Sequence, residues 1–274
     1  MPGWVFDDNA PRSYPRAMPP EQRPIITLTT DFGDQDAYVA QMKAVLLRHA
    51  PNATLVDVTH AIAPQDVLAG AIALERAVAA FAPWTIHLVV IDPTVGTGRR
   101  LLLAVIGDQI ILCPDNGLVT WAMRRQGPMQ AHEITWRPLH SSATFQGRDI
   151  LAPVAGMIAA GQSPDLFCKP IADPVILSVA PAVAPSTAGV IIHIDRFGNA
   201  TTNVPRELLD GQPAVKIGIA SRMLGSLCNT YADVPPGQPL ALIGSSGLLE
   251  IAVRDASAAE ILNLRIGDEV RFEP

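Results

Sequence analysis

The sequence predicts an α/β protein: a mostly parallel N-terminal sheet clothed with helices, followed by a smaller, mostly β domain. Three observations predict it. From Pro24 onward, apolar β-rich runs alternate with segments whose apolar residues recur at helical spacing, the pattern of strands joined by crossover helices. Beyond Thr187 the helical spacing gives way to short β-rich runs between Gly and Pro turns. Between these regions, residues 171–187 are rich in Pro, Ala, Ser and Val with no sustained helical period, and read as a linker.

Residues 1–22 carry Pro2, Pro11, Pro15, Pro19 and Pro20 among polar residues, so they are expected to form a flexible tail. The N-terminal domain, 23–170, then begins with a strand from Ile25 to Thr30 and a helix from about Asp36 to Arg48, which turns Val39, Met42, Val45 and Leu46 inward. Thr54 to Thr59 reads as a strand, Asp66 to Ala80 as a helix, and Thr85 to Ile91 as a third strand. After a glycine loop, Leu101 to Ile106 and Gln109 to Cys113 form a hairpin across Gly107-Asp108, with a helix following near Leu118 to Arg125. In the C-terminal domain, 188–274, the expected strands are Gly189 to Ile194, Ala214 to Ile219, Pro239 to Ile243, Leu249 to Val253 and Glu269 to Phe272.

Composition narrows the function classes. A formal charge of −6 and the lack of a dense Lys/Arg run argue against nucleic acid, whose phosphates demand a basic face. Cys113, Cys168 and Cys228 are odd in number and include no CxxC pair, which disfavours both a disulfide scaffold and a zinc site and fits a cytoplasmic protein. No membrane partner is expected, because no stretch approaches the ~20 apolar residues of a membrane-spanning helix.

The chemistry-bearing residues gather at predicted strand ends. In open α/β sheets, ligands bind beyond the carboxyl ends of the strands, and here those ends read Thr29-Thr30-Asp31, Thr59-His60, Asp92 and Pro114-Asp115-Asn116. Each Asp alone could be a turn or helix cap; together they suggest a polar cleft for a hydroxyl-rich small molecule. The segment Asp92 to Arg100 places two glycines and two arginines beside a strand-end carboxylate. It is not a dinucleotide loop, since Leu101 stands where GxGxxG needs glycine and the segment leads into a strand. The histidines show no metal-ligand spacing, and neither a metal nor covalent acyl chemistry is implied.

Six motifs occur in order: Ile26 to Gly33, Val56 to His60, Asp92 to Arg100, Pro114 to Gly117, Thr144 to Asp149, and Asp195 to Asn199. Together they resemble the S-adenosylmethionine hydroxide adenosyltransferase family, which is related to the adenosyl chlorinases and fluorinases. The resemblance runs from about residue 24 to 273. It implies a Rossmann-like N-terminal domain, a β-barrel-like C-terminal domain, and a homotrimer whose ligand sites lie between one subunit's N-terminal domain and a neighbour's C-terminal domain. S-adenosylmethionine would be the substrate and no cofactor would be needed. Asp31 resembles the carboxylate that holds the ribose diol, and Phe145 a pocket residue near the ribose. Asp195 and Asn199 resemble the residues holding the amino-acid part, Phe197 and Tyr231 the adenine wall, and Ser245 a contact to the methionine carboxylate.

The reaction implied is displacement of methionine by water at the ribose 5′ carbon, giving adenosine. In the family an Asp, an Arg and a His surround the attacking water; Asp92 and Arg99 match the first two by motif position, whereas Gln146 stands where the family motif TFHGRD has His. Gln can orient water but cannot titrate, so a slowed enzyme is expected, with a ligand-binding protein lacking turnover as an alternative. Thr94 stands where the family usually has Gly, and would be strained if its φ were positive. Halogenases of this scaffold carry a tyrosine at the position of Asp92 and a small hydroxyl residue at that of Val95, so halide transfer ranks below hydrolysis.

Overall fold

The computed structural model describes residues 23–210, 216–219 and 222–273. The expected tail, 1–22, and the first two residues of the strand expected from Ala214 lie outside them. The chain divides into two compact units, one ending at Ser178 and the other beginning at Val179.

The first unit contains, in order, β1 (Ile25–Thr30), α1 (Tyr38–His49), β2 (Thr54–Thr59), α2 (Val67–Ala80), β3 (Ile86–Val90), β4 (Leu101–Ile106), β5 (Gln109–Pro114), α3 (Met123–Gln126), β6 (Met129–Ile134), α4 (Ala152–Ala159) and β7 (Cys168–Ile171). They form one sheet in the order β2-β1-β3-β5-β4-β6-β7. β1, β2, β3, β5 and β6 run one way, with β4 and β7 against them. Every residue of β3 is buried: Leu88 and Val90 join the core that includes Met42, Leu46 and Val154, while Val89 and Ile91 join the one around Leu74 and Val78. A central strand lined on both faces forces helices onto both faces.

Register then fixes the site. Thr30 pairs with Val90 and Thr29 with Thr59, so β1, β2 and β3 end level and deliver Asp31, His60 and Asp92 to one rim. Asp66 caps α2 by accepting from Ala69 N at 2.9 Å. Gly70 lets α2 lie against the end of β3, for a Cβ there would stand 2.8 Å from Ile91 Cδ1.

The helix expected from Leu118 to Arg125 is shorter. Thr120 N and Ala122 N donate three residues back, to Gly117 O at 3.0 Å and Val119 O at 3.2 Å, and only Met123–Gln126 is α-helical before Gly127 turns away at φ 88°. The hairpin across Gly107-Asp108 forms as read, with Ile106 opposite Gln109.

The second unit contains β8 (Ala188–Ile194), β9 (Ala200–Pro205), β10 (Lys216–Ile219), β11 (Arg222–Gly225), β12 (Pro239–Ile243), β13 (Leu248–Val253), α5 (Ala258–Ile261) and β14 (Glu269–Glu273). Its sheet runs β11-β10-β14-β8-β9-β13-β12 with antiparallel neighbours throughout. It curls until Cys228 N, just past β11, donates to Ala241 O of β12 at 2.8 Å, which nearly closes a barrel around Ile191, Ile217, Ala241, Ile251 and Val270. Among the described residues, no helix is long and apolar enough to cross a membrane.

Candidate active site

The strand-end residues divide by the partners they find. Asp115 is structural: it is buried, pairs with Arg100 at 2.7 Å, and accepts from Val175 N at 2.8 Å, tying residues 173–175 to the end of β5. Neighbouring Asn116 donates through Nδ2 to Ile91 O at 2.9 Å, bracing the backbone just before Asp92.

Asp92 and Arg99 form the centre of the first unit's rim. Arg99 Nε donates to Asp92 Oδ1 at 2.7 Å, Nη2 reaches Oδ2, and Nη1 donates to Gln146 Oε1 at 2.8 Å. Both side chains of the ion pair are only 8% exposed. Arg99 is therefore not a solvated surface charge. A guanidinium has no acceptor, so the Gln146 oxygen must face Arg99 and its NH2 must face away, leaving two donors for a ligand.

Local backbone geometry makes this meeting possible. Gly96 adopts φ 84°, in the left-handed region, and folds residues 92–99 back so that Arg99 reaches Asp92. Thr94 does not have positive φ, so the strain anticipated there is absent, and its hydroxyl lies 3.4 Å from Asp92 Oδ1. Gln146 immediately precedes a π-turn, Gly147–Leu151, that leads into α4. Such wide turns recur at functional sites because they re-aim the residues beside them. Gly147 sits where a Cβ would stand 3.1 Å from Val90 Cγ1.

Asp31 Oδ2 accepts from Gln65 N at 2.8 Å, and Gln65 holds the uncommon φ of 67°. Beside it, Phe32, Tyr38 and Phe145 form a ring cluster with centroids 5.3 to 5.7 Å apart. Arg148 lies 4.8 Å from the Phe145 ring centroid and pairs with Asp149, which holds the Asp149 carboxyl below the usual carboxylate range. The family-type Arg-Asp pair thus braces Phe145, a role that its one-dimensional spacing did not announce.

The second unit gathers its own set. Asp195 Oδ1 accepts from Phe197 N and Asn199 N, each at 2.9 Å, closing the β8–β9 turn. Tyr231 donates its hydroxyl to Glu250 Oε1 at 2.6 Å. Partial burial of the hydroxyl, that bond, and the Glu250 and Asp195 carboxylates push the Tyr231 phenol well above its ordinary value, although the residue is 43% exposed. Ser245 is exposed on the β12–β13 turn, and Phe197 is 77% exposed. Glu250 was missed from sequence, where it reads only as an outward residue of a strand.

Comparison with known proteins identifies the family. Residues 26–168 match the SAM hydroxide adenosyltransferase N-terminal domain, and residues 189–271 match the C-terminal domain of the same family. An (R)-S-adenosyl-L-methionine hydrolase from Salinispora arenicola is 37% identical over 257 residues, covering 90% of this chain and 97% of that protein. One from Thermus thermophilus is 37% identical over 262 residues, covering 91% and 99%. A fluorinase from an Actinoplanes species is 29% identical, covering 91% and 97%. The crystal structure of an uncharacterized conserved protein from Thermotoga maritima superposes with a TM-score of 0.82 at 32% identity, covering 90% of this chain and all of that one. With both domain matches present and hydrolases of this identity covered nearly end to end, the chain belongs to the SAM hydroxide adenosyltransferase family.

Proposed function

We propose that this protein hydrolyses S-adenosyl-L-methionine to adenosine and L-methionine by attack of water on the ribose 5′ carbon. The observation that carries the reading is the buried Asp92–Arg99 pair with Gln146 bonded to its outer edge. Water gives its oxygen to C5′ and one proton to the surroundings. The C5′–S bond breaks, and methionine leaves as a neutral thioether that needs no acid.

Asp92 is the acceptor that orients the water. Arg99 occupies one lone pair on each of its oxygens, and a carboxylate offers about four such sites, so acceptor capacity remains. Gln146 donates from its free NH2 and holds the water's oxygen while the remaining lone pair meets C5′. An ionised carboxylate is a weak base toward water, so positioning and the local field, rather than prior deprotonation, supply the acceleration. Asp31 holds the ribose diol and Phe145 lines the ribose side, while Asp195, Phe197, Asn199, Tyr231 and Ser245 of a neighbouring copy receive the adenine and methionine ends. Self-association as a homotrimer belongs to the same proposal; the exposed rings of Phe197 and Tyr231 are surface that a ligand or a neighbouring copy would cover.

Two other readings have specific support. Gln146 in place of an imidazole favours a protein that binds S-adenosylmethionine without turnover. Arg99 neutralises Asp92 and so weakens the charge repulsion that would exclude chloride. Chromatography of products formed with and without chloride separates the three: adenosine with methionine supports hydrolysis, 5′-chloroadenosine supports halide transfer, and saturable binding without product supports a binder.

A further inference from the structure

His60 fastens the loop that carries Asp31. Gly33 N donates to the His60 carbonyl at 2.8 Å, and the His60 ring bonds through Nδ1 to Thr30 Oγ1, also at 2.8 Å. Thr30 is fully buried, and its hydroxyl accepts from Phe32 N at 3.3 Å. The residues on both sides of Asp31 are therefore held by one histidine, once through its backbone and once through its ring.

The ring is itself held. Its Nε2 lies 3.0 Å from Asp57 Oδ1, close enough for an ion pair although outside good hydrogen-bond alignment. Asp57 Oδ2 accepts from Lys43 Nζ of α1 at 2.6 Å. A row from α1 through β2 to β1 thus ends beside Asp31. That carboxylate has one oxygen on Gln65 N and, among the described residues, no partner for the other.

We propose that His60 is a positioning residue for substrate: through Thr30 and Gly33 it aims the open oxygen of Asp31 at the vicinal hydroxyls of a ribose, without touching the ligand itself. The inference rests on the reading of Asp31 as the ribose carboxylate. A histidine that merely stabilised the fold would lower affinity for every nucleoside alike. A histidine that aims Asp31 controls only the part of affinity that comes from the 2′ and 3′ hydroxyls.

The test compares calorimetric binding of adenosine and 2′,3′-dideoxyadenosine to the full chain and to Asp31→Ala, His60→Phe and His60→Gln, with thermal melting to confirm that each variant is folded. The unaltered protein should prefer adenosine, and Asp31→Ala should erase the preference. His60→Phe should shrink it by about 10-fold, the scale of a charge-assisted hydrogen bond. His60→Gln, whose amide can still bond Thr30, should recover part of it, and in turnover assays the His60→Phe KM for S-adenosylmethionine should rise more than kcat falls. If Asp31→Ala erases the preference but His60→Phe weakens both ligands equally or neither, the positioning role is overturned while the ribose reading stands. If Asp31→Ala leaves the preference intact, or the unaltered protein binds no adenosine, the ribose reading itself falls and the inference falls with it.

Discussion

Arg99 donates from Nη1 to Gln146 Oε1 at 2.8 Å, and that bond decides which end of the amide meets a ligand. Because the oxygen is taken, residue 146 acts as a donor, and nothing at this position titrates near neutral pH. Turnover should therefore show no step from this residue between about pH 5 and 8. Gln146→His introduces an imidazole able to accept a proton and should raise kcat by ~10²-fold or more, with activity falling on the acid side of about pH 6.5. A pH profile of kcat for the two proteins checks both expectations.

Asp92 and Arg99 are buried together, so removing one leaves the other uncompensated. Arg99→Met should destabilise the fold by about 3–5 kcal/mol, while the double variant Asp92→Asn, Arg99→Met should recover much of that loss. Denaturant unfolding of the single and double variants measures the difference. Arg99→Lys keeps the charge but loses the two-nitrogen grip, and should cost turnover more than stability.

The glycine loop yields a paired expectation. Gly96 holds φ 84°, and a Cβ there would stand 3.2 Å from Ala143 O, so Gly96→Ala should cost about 1–2 kcal/mol and displace Arg99 from Asp92. Thr94 carries no such φ, so Thr94→Gly relieves nothing and should alter stability by less than about 1 kcal/mol. Melting curves and turnover of the two variants distinguish the positions.

How far the molecule is legible in its sequence depends on whether each element carries a period. β1, β2, β3, α1 and α2 announce themselves because their apolar spacing contrasts with polar flanks. α4 does not, because all eight of its residues are buried and no polar stripe marks a face. β9 is hidden because it buries Thr201 and Thr202, Thr202 donating to Leu249 O at 2.9 Å, so the run reads as polar. β7 was hidden by Pro170, which the sheet tolerates on its outermost strand. At the site, motif order points to Asp92, Arg99 and Gln146, which the fold brings into contact, whereas nothing in the sequence announces the contacts of His60. These contacts span 30 residues of sequence for His60 and Thr30, and 47 for Arg99 and Gln146.

His87 makes stability depend on pH. It is fully buried, bonded through Nδ1 to Thr27 Oγ1 at 2.8 Å and through Nε2 to Gln109 Oε1 at 3.1 Å. Gln109 Nε2 donates to Phe81 O and Ala82 O, so its oxygen faces His87, Nε2 of His87 carries the proton, and the ring is neutral. Burial lowers the His87 pKa from 6.5 to about 4. The folded state then binds fewer protons than the unfolded one, so this contribution is complete above the unfolded pKa and is lost as pH falls from about 6.5 toward 4. The full loss is on the order of 3 kcal/mol. His87→Gln, which can accept from Thr27 and donate to Gln109, should flatten the dependence in unfolding measured from pH 7 down to pH ~4.5.

The most direct test of the central claim is turnover of S-adenosylmethionine in ¹⁸O-labelled water, with mass analysis of both products and Asp92→Ala as control. Attack of water at C5′ predicts one ¹⁸O atom in adenosine, none in methionine, equal amounts of the two, and product formation strongly reduced in Asp92→Ala. Adenosine without the label, methionine released with a different nucleoside, or no product at all from protein that binds S-adenosylmethionine would contradict it.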